Sequence, residues 1–215
     1  MIGLKMMLQY KYKNERYDKS VKLFYIALNY YKMSIQSVAV FCGSKSGNAA
    51  IFERETIHLG ELIGMNSITL VYGGGKKGLM GAVANAVLSK KGKVVGIIPN
   101  VLIEWEQQHT GITELKIVSD MHERKKLMYQ LCDAAIILPG GHGTMDEMFE
   151  MLTWNTLQIH NKKIFILNIN GYYDHLIQFI KTMYNSDFLY EQWDERIKIF
   201  KTAQAIFDFL ASNKK

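Results

Sequence analysis

"AIILPGGHGTMDEMFE" occupies residues 135–150. A short apolar run leads into Pro139, Gly140, Gly141 and Gly143, then Thr144, then the carboxylates Asp146 and Glu147. The run reads as a buried strand. Glycines at its end let a ligand approach the backbone. The helix that follows offers unsatisfied N–H groups to an anion. The two acids would then stand near whatever that anion is attached to. One segment thus predicts a strand–turn–helix unit of an α/β domain and an anionic small-molecule ligand.

Moving outward, the same alternation fills the chain from residue 35 onward. Strands are expected at 37–43, 67–75, 93–99, 114–119, from 134 into the Pro139 turn, and at 162–169. Helices are expected at 49–65, 79–92, 121–132, 144–160, 172–184 and 203–212. Near-continuous apolar strands alternating with helices predict a Rossmann-like, doubly wound, mainly parallel sheet with helices on both faces. In such folds ligands sit at the carboxyl ends of the strands. Three expected strand ends carry glycines: Gly43, Gly73–Gly75 and Gly140–Gly143.

Composition agrees with this class. The 215 residues are 48% hydrophobic and 21% charged, the balance of a soluble globular domain with a real core. Cys42 and Cys132 lie far apart and form no CxxC, so neither a disulfide framework nor a zinc site is expected, and a cytoplasmic location suits. No run approaches the ~20 apolar residues of a membrane helix. The net charge of +6 is concentrated in the leader. Residues 1–32 carry seven Lys/Arg against Glu15 and Asp18. The rest shows no basic stripe, so no nucleic-acid partner is expected. The expected organisation is a basic, Tyr/Lys-rich extension over 1–34 and a single domain over 35–215.

Gly73-Gly74-Gly75-Lys76-Lys77-Gly78 fits the dinucleotide pattern GxGxxG. It lies at the second βα turn rather than the first. The next strand ends in Pro99 and Asn100, where a ribose-binding acid should stand. Nicotinamide cofactor binding is therefore not expected. Two readings remain for these glycines: easing helix–strand packing, or shaping a nucleotide-sized pocket.

Taken together, "VYGGGKKGLMG" (71–81), "MHERK" (121–125) and "LPGGHGTMDE" (138–147) resemble the LOG (Lonely Guy) family. The family hallmark PGGxGTxxE is met in full. "FCGS" (41–44), "HTG" (109–111), "TW" (153–154) and "NINGYYD" (168–174) look like further family landmarks in the same order. Lys45, Thr156 and Lys163 depart from frequent family residues, outside the hallmark. The resemblance implies a Rossmann-like phosphoribohydrolase. It would release a free base from AMP or an N6-modified AMP, such as a cytokinin nucleotide, using water and neither cofactor nor metal. Nothing in the sequence resembles a pyridoxal-phosphate site, although the family is often labelled lysine decarboxylase.

The resemblance makes Arg124 and Glu147 the expected catalytic pair. Breaking an N-glycosidic bond builds positive charge on the ribose. A carboxylate beside C1' can stabilise that charge and orient or deprotonate water. The alternative reading of Glu147 is a first-turn acid complementing the helix dipole. Arg124 holds its proton too firmly to be a general acid, so it would fix Glu147 or stabilise departing charge. Gly140, Gly141, Gly143 and Thr144 are expected to hold the 5'-phosphate. Asp146 could hold a ribose hydroxyl or be solvated. Thr153 could line the base pocket. Ser44, Gly74, Gly75, Glu106 and Lys125 complete the expected substrate-binding set. His142 reads as exposed, and His122 as orienting its loop.

The expected helix 144–160 carries more apolar surface than one sheet-facing stripe requires: Met145, Met148, Phe149, Met151, Leu152, Trp154, Leu157 and Ile159. That predicts a homodimer or larger homo-oligomer, as the resemblance also implies. A non-catalytic nucleotide sensor or carrier on the same fold is the alternative reading.

Overall fold

The computed structural model describes residues 35–103 and 107–212. The leader and Glu106 lie outside the described residues. Those described form one seven-stranded, all-parallel sheet, so the doubly wound α/β expectation is borne out. In chain order the elements are β1 (Ser37–Phe41), α1 (Ala50–Met65), β2 (Thr69–Tyr72), α2 (Gly78–Ser89), β3 (Val94–Pro99) and β4 (Glu114–Val118). Then follow α3 (Met121–Leu131), β5 (Ala134–Ile137), α4 (His142–Thr156), β6 (Lys163–Leu167), α5 (Asp174–Asn185), α6 (Trp193–Arg196), β7 (Ile197–Phe200) and α7 (Ala203–Ser212).

The strand order is β4-β3-β2-β1-β5-β6-β7. The chain steps outward from β1 to β4. Helix α3 then carries it back so that β5 lies on the other side of β1, and it steps outward again. Between β1 and β5 the order reverses, and in open α/β sheets ligands bind beside the carboxyl ends of the strands at such a switch point. The pair is in register from Val38 opposite Ala134 to Phe41 opposite Ile137. Just before these strands, Asp133 Oδ2 accepts hydrogen bonds from the Gln36 and Ser37 amides and the Ser37 hydroxyl, at 2.8, 2.9 and 3.0 Å.

Alternation along each strand feeds two cores. Val38, Val40, Leu70 and Tyr72 join Leu59 and Ile63 of α1, Val83 and Val87 of α2, and Ile206 of α7. Ala39, Phe41 and Val71 join Met128 and Tyr129 of α3, Met148 and Met151 of α4, and Ile180 of α5. Fully burying a side chain such as Leu59 or Ile63 contributes about 1.5–3 kcal/mol. Helices α1 and α2 approach closely because Gly60 and Gly64 lack side chains. A Cβ on Gly60 would come within 2.6 Å of the Ala86 Cβ.

The sequence pattern predicts no element between 184 and 203, where α6 and β7 lie. "IKIF" is a four-residue edge strand with Lys198 in its middle, too short and too interrupted to stand out. The expected helix 144–160 begins two residues earlier and ends at Thr156, so Leu157 and Ile159 lie beyond it. Among the described residues no helix is long and apolar enough to cross a membrane.

Candidate functional site

The loops leaving β1 and β5 meet at the switch point. The Gly43 amide donates to the Pro139 carbonyl at 3.0 Å. Gly140 lies so close that a Cβ there would sit 2.1 Å from Thr144 Oγ1 and 3.0 Å from the Gly43 nitrogen. Only glycine fits at that position. Gly141 is the N-cap of α4 and no side chain caps the helix. The amides of Gly141, His142, Gly143 and Thr144 donate to no group among the described residues. Around Gly141 and Gly143 there is open space within 4 Å of where a Cβ would stand. Thr144 is buried in the first turn of α4, and His142 is exposed. A cluster of outward N–H groups at the positive end of a 15-residue helix suits a phosphate.

Glu147 follows on the same helix, half-buried, with its main-chain carbonyl accepting from the Tyr129 hydroxyl at 3.1 Å. Asp146 is mostly exposed and accepts from Lys125 Nζ at 3.0 Å; Glu150 accepts from the same ammonium at 3.0 Å. The Tyr129 hydroxyl donates to Glu150 at 2.8 Å. Lys125 and Tyr129 are one turn apart on α3, and Asp146 and Glu150 one turn apart on α4, so the two helices are laced together. Burial alone would depress the Lys125 ammonium. Its hydrogen bonds to Asp146 and Glu150 outweigh that and hold its pKa above the usual lysine value. Burial, then Glu150, push the Tyr129 phenol well above its ordinary range. Lys125 therefore keeps its charge, and Tyr129 its proton, through the physiological range.

Arg124 is buried beneath the carboxyl ends of β2 and β3. Its Nε donates to the Ile97 carbonyl at 3.1 Å and its Nη2 to the Gly73 carbonyl at 2.9 Å. A Cβ on Gly73 would stand 2.1 Å from Nη2, so the guanidinium occupies the space that the glycine leaves. The helix that carries Arg124 is set by its own cap. Asp120 Oδ1 accepts from the His122 and Glu123 amides, both at 2.8 Å, and Glu123 reaches back to the Ser119 amide at 2.9 Å. These reciprocal bonds resemble a capping box. The backbone hydrogen bond from Glu123, then the Ser119 hydroxyl, keep the Asp120 carboxyl below its usual range. The His122 side chain is exposed, and it is its amide that serves the turn.

The glycine turn after β2 is buried and packed against the segment 107–109. Gly73, Gly74 and Gly75 are buried. The Gly74 carbonyl accepts from the His109 amide at 2.8 Å, the Lys76 amide donates to the Gln107 carbonyl at 2.8 Å, and Gly75 bridges Gln108. His109 Nε2 lies 3.0 Å from Asn85 Oδ1, and His109 Nδ1 accepts from the Gly111 amide at 3.2 Å. Those partners fix the neutral tautomer with its proton on Nε2. Burial, then Lys76, lower the His109 pKa. Ser44 is exposed, in the loop after β1; a Cβ on Gly78 would come within 2.4 Å of its backbone, so the β1 and β2 loops are stacked. Thr153 is exposed and its hydroxyl donates to the Phe149 carbonyl at 2.8 Å. Six residues of helix place it roughly 120° around from Glu147.

Residues without an expected role also meet here. Tyr172 and Tyr173, from the turn after β6, donate their hydroxyls to the Gly140 and Leu138 carbonyls at 2.7 and 2.6 Å. Their signal in the sequence was the landmark "NINGYYD". Cys42 and Cys132 are free and buried, and burial pushes the Cys132 thiol up to about 11.

Comparison with known proteins fits this geometry. The family model described as "Possible lysine decarboxylase" matches residues 80–210. A probable cytokinin riboside 5'-monophosphate phosphoribohydrolase of Oryza sativa subsp. japonica is 49% identical over 140 residues, 65% of this chain and 63% of that protein. Another from Arabidopsis thaliana is 42% identical over 172 residues, 80% of this chain and 86% of that protein. The cytokinin riboside 5'-monophosphate phosphoribohydrolase of Rhodococcoides fascians is 47% identical over 147 residues, 68% and 74% of the two chains. Among solved structures, the molybdenum cofactor binding protein of Rippkaea orientalis superposes with a TM-score of 0.63 at 16% identity, over 82% of this chain and 95% of that one. The molybdenum cofactor carrier protein of Chlamydomonas reinhardtii gives 0.62 at 14%, over 82% and 98%. At such identities the likeness shows the fold alone. The sequence kinship, by contrast, is close and spans both glycine turns and the α3–α4 pair: the chain belongs to the LOG family of cytokinin riboside 5'-monophosphate phosphoribohydrolases.

Proposed function

We infer that the protein hydrolyses the N-glycosidic bond of a purine nucleoside 5'-monophosphate, AMP or an N6-modified AMP, to free base and ribose 5-phosphate. The observation that carries this reading is the complete PGGxGTxxE segment, with Arg124 retained, in a chain 42% identical to a family member over 172 residues. The segment occupies the switch point, where its helix leaves amides open.

In this reading the amides of Gly141, His142, Gly143 and Thr144 bind the 5'-phosphate and so set the ribose above α4. Glu147 lies on the same helix, about five residues further, within reach of C1'. As the C1'–N bond lengthens, its carboxylate stabilises the growing positive charge and orients or deprotonates the attacking water. Arg124 adds a fixed positive charge near the ends of β2 and β3, favouring an anionic substrate and the electrons that leave with the base. Lys125 and Glu150 hold α4 against α3, which keeps Glu147 in place. Decarboxylation of lysine does not fit, because the relatives from Oryza sativa, Arabidopsis thaliana and Rhodococcoides fascians carry the name of phosphoribohydrolases.

Incubation with AMP and chromatography for adenine tests the reading, with adenosine as the control lacking phosphate. Adenine and ribose 5-phosphate in equal amounts are expected. AMP bound but uncleaved would establish the carrier alternative instead. Adenosine cleaved as fast as AMP would show that the loop holds no phosphate.

We also read the protein as a cytoplasmic homodimer or larger assembly with 1–34 as an extension. On α4, Met148 and Met151 face the core, while Phe149 and Leu152 are only partly buried. Leu157 and Ile159, just past the helix, are mostly exposed. This surface suits a second copy. Light scattering at micromolar concentration is expected to exceed the monomer mass of 24.7 kDa, and a monomer mass would end this reading.

A further inference from the structure

The peptide between Gly140 and Gly141 has a glycine on each side, so little steric resistance keeps it from turning over. Its orientation decides where one amide of the phosphate loop points. In a trans peptide the C=O of one residue and the N–H of the next face opposite ways. Whatever fixes the Gly140 carbonyl therefore aims the Gly141 N–H.

The Tyr172 hydroxyl fixes it, donating to the Gly140 carbonyl at 2.7 Å. The ring is held in turn by edge contacts with Phe52 at 5.7 Å and Tyr173 at 4.8 Å between centroids. The turn that presents it is shaped by left-handed conformations at Asn170 and Gly171, φ 50° and 72°. It is tied down by Asn168, which accepts from the Tyr173 amide and donates to Asp174, both at 2.7 Å. Tyr173 makes a similar bond to the Leu138 carbonyl. There the following residue is Pro139, which has no N–H to aim. The neighbouring tyrosines thus differ: Tyr172 fixes the carbonyl whose peptide carries the Gly141 N–H, whereas Tyr173 bonds the Leu138 carbonyl and lies beside the Gly140 amide, one peptide earlier.

We propose that Tyr172 is a positioning residue for the substrate phosphate: its hydroxyl locks the Gly140–Gly141 peptide so that the Gly141 N–H faces the anion. This rests on reading the loop as the phosphate site. It adds a residue from β6–α5, outside the hallmark segment, to the determinants of phosphate recognition.

The test compares Tyr172→Phe with Tyr173→Phe, measuring inorganic phosphate binding by calorimetry and steady-state kinetics with AMP. Tyr172→Phe is expected to weaken phosphate binding roughly tenfold, the scale of one hydrogen bond to a charged group. KM for AMP should rise in step and kcat change by less than about threefold, the pattern of lost binding rather than lost chemistry. Tyr173→Phe should lower the thermal midpoint and weaken phosphate binding clearly less than Tyr172→Phe does. Equal phosphate affinity in wild type and Tyr172→Phe would overturn the proposal, as would an equal loss in both variants. Phosphate binding by a wild type that does not cleave AMP would defeat the hydrolase reading alone. Failure of the wild type to bind phosphate would defeat both.

Discussion

The turns after β2 and β5 look alike in sequence, Gly73-Gly74-Gly75 and Gly140-Gly141-His142-Gly143. Their fates differ. At the first, the protein fills the space itself. Arg124 lies against Gly73, and His109 and Gln107 take up the neighbouring backbone groups. At the second, Gly140 closes on Thr144, but Gly141 and Gly143 face open space and the amides of the helix start donate to no group among the described residues. A glycine run at a strand end is thus an invitation to close approach. Whether a side chain or a ligand accepts it depends on what the rest of the fold brings there.

The sharpest way to test this contrast is at the open turn. Glu147→Gln should keep the fold and nucleotide binding but lower kcat by about 10²-fold or more, the scale of a lost acid–base group. Near-normal turnover would make Glu147 a helix-end charge and nothing else.

The glycines themselves should then separate. Gly141→Ala places a methyl in open space at φ −98°, so the unliganded thermal midpoint should hold while phosphate affinity falls about tenfold or more. Gly73→Ala drives a methyl onto the guanidinium of Arg124 and should cost about 1–3 kcal/mol of stability even without ligand. Calorimetric melts with and without phosphate read both. Equal behaviour of the two variants would erase the distinction.

The smallest expected effect is on pH. His109 at the closed turn and His160 near the end of α4 both have pKa values lowered by burial first, then by nearby cations. The unfolded chain therefore takes up protons before the folded one. Their stabilising contribution is complete above pH about 6.5 and is lost as pH falls through the lowered folded values. Melts between pH 7.5 and 5 should show the midpoint falling below about 6.5, and His109→Gln with His160→Gln should flatten that fall. An unchanged slope would assign the acid sensitivity elsewhere.

Period and punctuation in the sequence disclose most of the fold. Strand ends at Gly43, Gly73 and Gly140, and the apolar runs before them, sufficed for the doubly wound sheet. The strand at 197–200 did not show, because Lys198 interrupts a four-residue edge. At the site, the segment from Gly140 to Glu147 was legible as a local unit. The rest depends on register between distant elements. That Arg124 meets the carbonyls of Gly73 and Ile97 follows from strand pairing, not from spacing in "MHERK". The one-turn intervals of Lys125 and Tyr129, and of Asp146 and Glu150, were visible, but not that the two pairs face each other.

The Asp133 staple joins residues 96 apart in the chain, and so does the whole β1–β5 pairing beside it. During synthesis β1, β2, β3 and β4 emerge first and can pair among themselves. One edge of β1, the apolar "SVAVF", must then wait until β5 has left the ribosome. At about 5–20 residues per second that wait lasts roughly 5–20 s. Over that interval the nascent protein carries an unpaired hydrophobic strand edge, the kind of surface that recruits other chains. The seam at the switch point therefore joins the paired strands that lie farthest apart in the chain, whereas β6 and β7 each pair with the strand made just before them.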